Sequence, residues 1–81
     1  MSRIEKLIAR FKSKPNDFSW EELTRLLNHL GYTEITGSGS RRKFIHDHYQ
    51  LIVLHKPHPR RILKTYQMDQ VYEVLKEENL I

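Results

Sequence analysis

The spacing of apolar residues changes at Gly31, and that change limits the folds open to the chain. Before Gly31 they recur at helical intervals; from there to Pro57 they alternate as strands do. Leu23, Leu26, Leu27 and Leu30 make one stripe of a helix. Its start is explicit: Ser19 serves as N-cap, Glu22 at N3 completes a capping box, and Phe18 and Leu23 flank the cap as a hydrophobic staple. Gly31 supplies the stop. Upstream, Ile4, Leu7, Ile8 and Phe11 give residues 3–12 an apolar stripe on a basic helix, and Pro15-Asn16 turns the chain between the two.

Three short strands are expected next. They are Tyr32–Thr36, Arg41–His46 and Gln50–His55, with Gly37-Ser38-Gly39 as a turn and Asp47-His48-Tyr49 closing a hairpin. Alternation sets Arg42, Phe44 and His46 on one face and Arg41, Lys43 and Ile45 on the other. Phe44 is the natural core residue, so Arg41 and Lys43 point away from the core. Pro57 and Pro59 end the third strand, because proline cannot donate to a ladder. A last helix runs from an N-cap at Thr65 to Glu78, with Met68, Val71, Val74 and Leu75 inward. The order α-α-β-β-β-α predicts an α+β fold, a three-stranded antiparallel sheet with helices packed on one face. Trp20 and Phe18 join Phe44 in the core, Tyr66 and Tyr72 are expected to be partly buried, and His29 is read as a partly exposed structural residue. No linker divides the 81 residues, so one domain is expected, residues 1–14 being an N-terminal helical extension and 19–81 the core.

Composition excludes several functions. Without cysteine there are no disulfides and no thiolate metal sites, which fits a reducing cytoplasm. No apolar run approaches the ~20 residues of a membrane span, and Met1–Lys6 lacks an apolar signal core. The Gly-Ser-Gly-Ser stretch is not a nucleotide phosphate loop, since no Gly-Lys-Ser/Thr follows, and no small-molecule cofactor is expected.

Charge is concentrated in one place. Of the net +4, the segment Arg41–Lys64 carries seven Lys/Arg and one acid, while the rest holds seven basic and nine acidic residues. Such local asymmetry predicts a polyanion-binding face. Arg41, Arg42, Lys43, Lys56, Arg60, Arg61 and Lys64 are the expected phosphate contacts, with Gly39 and Ser40 offering backbone N–H groups at close approach. The plainer alternative is a charged strand edge that resists aggregation. Four of the five histidines, His46, His48, His55 and His58, lie in the same segment. As metal ligands they form only two pairs, His46-x-His48 beside Asp47 and His55-x-x-His58, whereas tetrahedral zinc sites need three or four protein ligands, so no metal is expected. Tyr49 at the hairpin tip is either a turn residue or a base-stacking one.

The motifs Trp20-Glu21-Glu22-Leu23 through Leu26-Leu27, then Leu30-Gly31-Tyr32, Gly39-Ser40-x-x-x-Phe44, Leu54-His55-Lys56-Pro57-His58-Pro59 and Leu63-Lys64-Thr65-Tyr66-Gln67 stand in one order that resembles the HicA family of bacterial toxins. The resemblance implies a double-stranded-RNA-binding-domain-like core, cleavage of mRNA, and a HicB-type antitoxin as partner. It also implies a catalytic histidine after the Gly-Ser pair, where this chain has Arg41. A guanidinium stays protonated and cannot serve as a general base, but it can hold a phosphate or stabilise a transition-state anion.

Cleaving RNA without metal needs a base for the ribose 2′-hydroxyl and an acid for the leaving oxygen, tasks suited to histidine. His55 and His58, at a strand end among Lys56, Arg60 and Arg61, are the first candidates; His46 and His48 come second. Two other outcomes stay open: an RNA-binding module that no longer cuts, or a basic docking surface for an acidic antitoxin.

Overall fold

The structure, a computed structural model, describes residues 2–81. Its elements are α1 (Arg3–Lys12), α2 (Trp20–His29), β1 (Thr33–Thr36), β2 (Arg41–Ile45), β3 (Ile52–His55) and α3 (Thr65–Glu77). The fold is α+β in the expected order, and the strands form an antiparallel sheet β1-β2-β3 with β2 central. Phe44, Ile52 and Leu54 face the helices and are buried, while Arg41, Lys43, Ile45 and His55 on the opposite face are exposed. No described helix is long and apolar enough to cross a membrane.

The α2 start is as expected. Glu22 N–H donates to Ser19 Oγ (3.1 Å) and Ser19 N–H donates back to the Glu22 carboxylate (3.0 Å). Its end explains why β1 begins one residue later than alternation suggests. Tyr32 N–H bonds Leu27 O (2.9 Å) and Gly31 N–H bonds Asn28 O (3.1 Å), a Schellman closure that retains Tyr32 for the helix. Gly31 has φ +96°, and a Cβ there would lie 2.7 Å from His46 Nε2. Gly31→Ala should therefore lower stability by about 1–3 kcal/mol, read from urea unfolding, through backbone strain and displacement of His46. A change below about 0.5 kcal/mol would contradict this role for the glycine.

Helix α1 is part of the same core. Leu7 and Phe11 are buried with Leu23, Leu26, Leu27, Val71 and Leu75, and Phe11 meets Phe18 edge-on at 5.4 Å. Arg10 fastens the two helices: its Nε and Nη2 reach the Glu22 carboxylate at 2.7 and 3.3 Å, and Nη2 also reaches Asp17 Oδ1 at 3.0 Å. The hydrogen bond from Arg10 chiefly, with help from Ser19, holds the Glu22 carboxyl below its ordinary value of 4.5. A depressed carboxyl stabilises the fold fully above its unfolded pKa, and that contribution disappears as pH falls through the folded one. Glu22→Gln should therefore lose less stability than the wild type when pH is lowered from about 7 to about 3, measured as the shift in urea midpoint. An equal acid loss in both proteins would remove Glu22 from this account.

Two expectations at α3 are corrected. The N-cap is Lys64, not Thr65, because the Gln67 side chain accepts from Lys64 N–H (3.0 Å) and fixes the first turn one residue earlier. Tyr66 is exposed rather than partly buried, since the buried stripe runs through Gln67, Met68, Val71 and Leu75. Val74 and Tyr72 are half-buried.

Candidate functional site

The start of β2, the end of β3 and the first turn of α3 meet at one end of the sheet. Arg41 and His55 are register partners there. Lys56 N–H donates to Ser40 O (2.8 Å), which makes Ser40 and Lys56 the hydrogen-bonded pair and leaves Arg41 and His55 as the neighbouring non-hydrogen-bonded pair. In such pairs the Cα atoms come to about 4.5 Å and side chains crowd together on one face. Here that face is the exposed outer one. Ser40 Oγ lies 3.3 Å from His55 Nδ1. When Nδ1–H donates to that hydroxyl, Nε2 carries the free lone pair and can accept a proton.

His55 is also held through its backbone. Gln67 Nε2 donates to His55 O (2.8 Å) while Gln67 Oε1 accepts from Lys64 N–H. Gln67 is 3% exposed, so its whole amide is committed to joining β3 to α3. The sequence reading missed this residue. The available signal was a glutamine three residues after Lys64, the spacing at which an N3 side chain reaches back to an N-cap N–H.

Two clefts open beside the pair. The larger, about 730 Å³, is lined by Ser40, His55, His58, Arg60, Lys64 and Tyr66 among others. The smaller, about 290 Å³, is lined by Gly39, Ser40, Arg42, Lys56, His58 and Arg61 with Pro57. Ser40, Lys56 and His58 belong to both. Arg41 and Lys43 line neither and stand on the outer sheet face, as alternation requires. The basic segment is thus divided between two adjoining surfaces, with His55 common to the face and the larger cleft.

The cations differ in how free they are. Arg42 Nη1 donates to Gly39 O and Arg41 O, both at 2.9 Å, and its Nε is 3.8 Å from Glu34, so this guanidinium braces the Gly37–Ser40 turn. Arg61 pairs with Glu21 at 2.8 Å, and this hydrogen bond holds the Glu21 carboxyl below its ordinary range. That pair is exposed, where ion pairs contribute little and exchange readily. Among the described residues, Arg41, Lys43, Lys56, Arg60 and Lys64 have no carboxylate within 4 Å.

The hairpin histidines are elsewhere. His46 Nε2 donates to Leu30 O (3.1 Å) and Nδ1 accepts from His48 N–H (3.0 Å), so both ring nitrogens are used in clamping the hairpin to the end of α2. Tyr49 lies 4.4 Å from that ring, half-buried, in the role of a turn residue. His46 and His48 line neither cleft, and among the described residues no three His, Asp or Glu side chains gather as a metal site.

A family model described as the HicA toxin of bacterial toxin–antitoxin matches residues 20–77, well over half of the chain. No curated protein and no solved structure matches it. The matched span holds α2, the sheet, both clefts' histidines and α3; α1 lies outside it.

Proposed function

The chain belongs to the HicA toxin family of bacterial toxin–antitoxin systems, and we propose that it binds single-stranded mRNA at the His55 end of its sheet and cleaves it without metal. Membership implies an antitoxin partner. In this reading the partner is HicB-type and covers the same basic surface, and the chain acts in the cytoplasm on mRNA. The observation that carries the proposal is the Arg41–His55 cross-strand pair, steadied by Ser40 and Gln67 and bordered by cations without carboxylate partners. The position that carries histidine in the family is Arg41 here, but its strand partner is a histidine.

His55 Nε2 takes the proton of a ribose 2′-hydroxyl, and the freed oxygen attacks the adjacent phosphorus. The bond from phosphorus to the 5′-oxygen breaks as His58 donates a proton to that oxygen. The products are a 2′,3′-cyclic phosphate and a 5′-hydroxyl end, with His55 protonated and His58 deprotonated until solvent resets them. Arg41 faces the extra negative charge of the phosphorane, where a charged donor contributes most. Lys43, Lys56, Arg60 and Lys64 hold flanking phosphates, Arg42 and Arg61 contribute after partial neutralisation, and Gly39 and Ser40 offer backbone groups.

Five unpaired cations set a quantity to measure. Single-strand binding loses about 0.7 in logarithmic slope per neutralised phosphate, so log affinity against log salt should fall with a slope near −3.5, and Lys64→Ala should make it shallower by about 0.7. A flat salt response would reject RNA binding at this face. The second reading, a binding module without cleavage, is favoured by the guanidinium at position 41. Incubating a defined single-stranded RNA with purified chain in EDTA separates the two, with Arg41→Ala and His55→Ala purified identically. Cleavage by wild type alone supports the nuclease; retention of RNA in a gel shift without cleavage supports the binding module.

A further inference from the structure

We infer that Tyr66 is the platform on which an unpaired RNA base stacks, and that it selects single strands over duplexes at this site. The inference rests on the RNA-binding reading above and adds a residue that chooses the substrate. Three of the four tyrosine rings are engaged within the fold. Tyr32 is buried with its hydroxyl donating to Gln50 O (2.9 Å), Tyr49 packs on His46, and Tyr72 lies near Phe11 with Lys14 Nζ 4.6 Å from its ring centre. Tyr66 has no aromatic or cationic partner on its ring among the described residues and is 62% exposed.

Its position gives the exposed ring a use. Tyr66 stands in the first turn of α3, beside Gln67, which anchors that turn to His55. Tyr66 lines the larger cleft together with His55, His58, Arg60 and Lys64. Cations that hold phosphates next to a rigidly based aromatic face are the two components of single-strand recognition. Bases inside a duplex are already stacked on one another and cannot reach such a face, whereas an unpaired base can turn out onto it. The same selection favours cleavage, because in-line attack by a 2′-hydroxyl needs a sugar–phosphate free of helical geometry.

The test uses the full chain and a short unstructured 2′-O-methyl RNA, which binds but cannot be cut, beside a 2′-O-methyl duplex of equal length. Fluorescence anisotropy is read at two salt concentrations for wild type, Tyr66→Phe and Tyr66→Ala. Because the side chain is exposed, thermal unfolding of both variants should match the wild type. Loss of one stacked base corresponds to a Kd about 10-fold higher for Tyr66→Ala on the strand, with Tyr66→Phe within about twofold and the duplex unaffected. Equal strand affinity for Tyr66→Ala and wild type would overturn the stacking role while leaving RNA binding intact. An equal loss on strand and duplex would overturn the selection. Absence of salt-dependent RNA binding by the wild type would overturn the RNA reading itself, and the role of Tyr66 with it.

Discussion

Alanine at His55 is expected to lower the single-turnover rate of single-stranded RNA cleavage by roughly 100- to 10,000-fold, the usual contribution of a positioned general base. RNA affinity should stay close to wild type, because His55 is one contact beside five unpaired cations. Added imidazole should restore part of the rate, since the vacated space opens onto the larger cleft. Arg41→Ala should also act on the rate, by about 100- to 1,000-fold, the loss expected when a charged donor is removed from the transition state. Imidazole should not rescue that variant. Cleavage by His55→Ala within about threefold of wild type would remove His55 as the base and with it the use made here of the cross-strand pair.

Gln67→Leu is expected to cost about 2–6 kcal/mol, measured by urea unfolding, since it leaves Lys64 N–H and His55 O without partners at about 1–3 kcal/mol each. For a small domain whose total stability is of order 5–15 kcal/mol, that is a large fraction. Gln67→Glu should cost at least as much at neutral pH: its carboxylate still accepts from Lys64 N–H, but it sets a buried negative charge against the His55 carbonyl oxygen. Both variants should cleave more slowly than wild type even where fully folded, because the end of β3 loses its tie to α3. A Gln67→Leu protein as stable as wild type would show that the amide bridge is dispensable.

What the sequence disclosed and what it withheld follow from the range of the interactions. The capping box at Ser19 and Glu22 and the glycine stop at Gly31 join residues a few positions apart, and both could be read directly. So could the division of Arg42 from Arg41 and Lys43, because a strand alternates with period two. Strand ends were less legible. Tyr32 is retained by the α2 closure and His46 by a bond to Leu30, 16 residues earlier, and periodicity carries no record of either. The N-cap of α3 moved to Lys64 because the Gln67 side chain reaches back to accept from Lys64 N–H, which sets the first turn without a Thr65 hydroxyl cap.

The candidate site was legible as composition but not as geometry. Clustered cations and histidines identified the segment, and His55 was separated from Arg41 by 14 positions with nothing in the spacing to fix their pairing. Register across the hairpin decides it. Neutralisation of Arg61 by Glu21, 40 residues earlier, likewise depends on the tertiary fold. Tyr66 was misjudged because its neighbours Gln67 and Met68 take the buried positions that a large aromatic would ordinarily claim.

Cleavage by the RNA's own 2′-hydroxyl leaves its signature in the products. The measurement that tests it most directly is the chemistry of the ends made from a defined single-stranded RNA by purified wild-type chain in EDTA. The expected products are 2′,3′-cyclic phosphate and 5′-hydroxyl ends, absent when His55→Ala replaces the wild type. Ends bearing 5′-phosphate and 3′-hydroxyl, or no cleavage until a divalent metal is supplied, would contradict it.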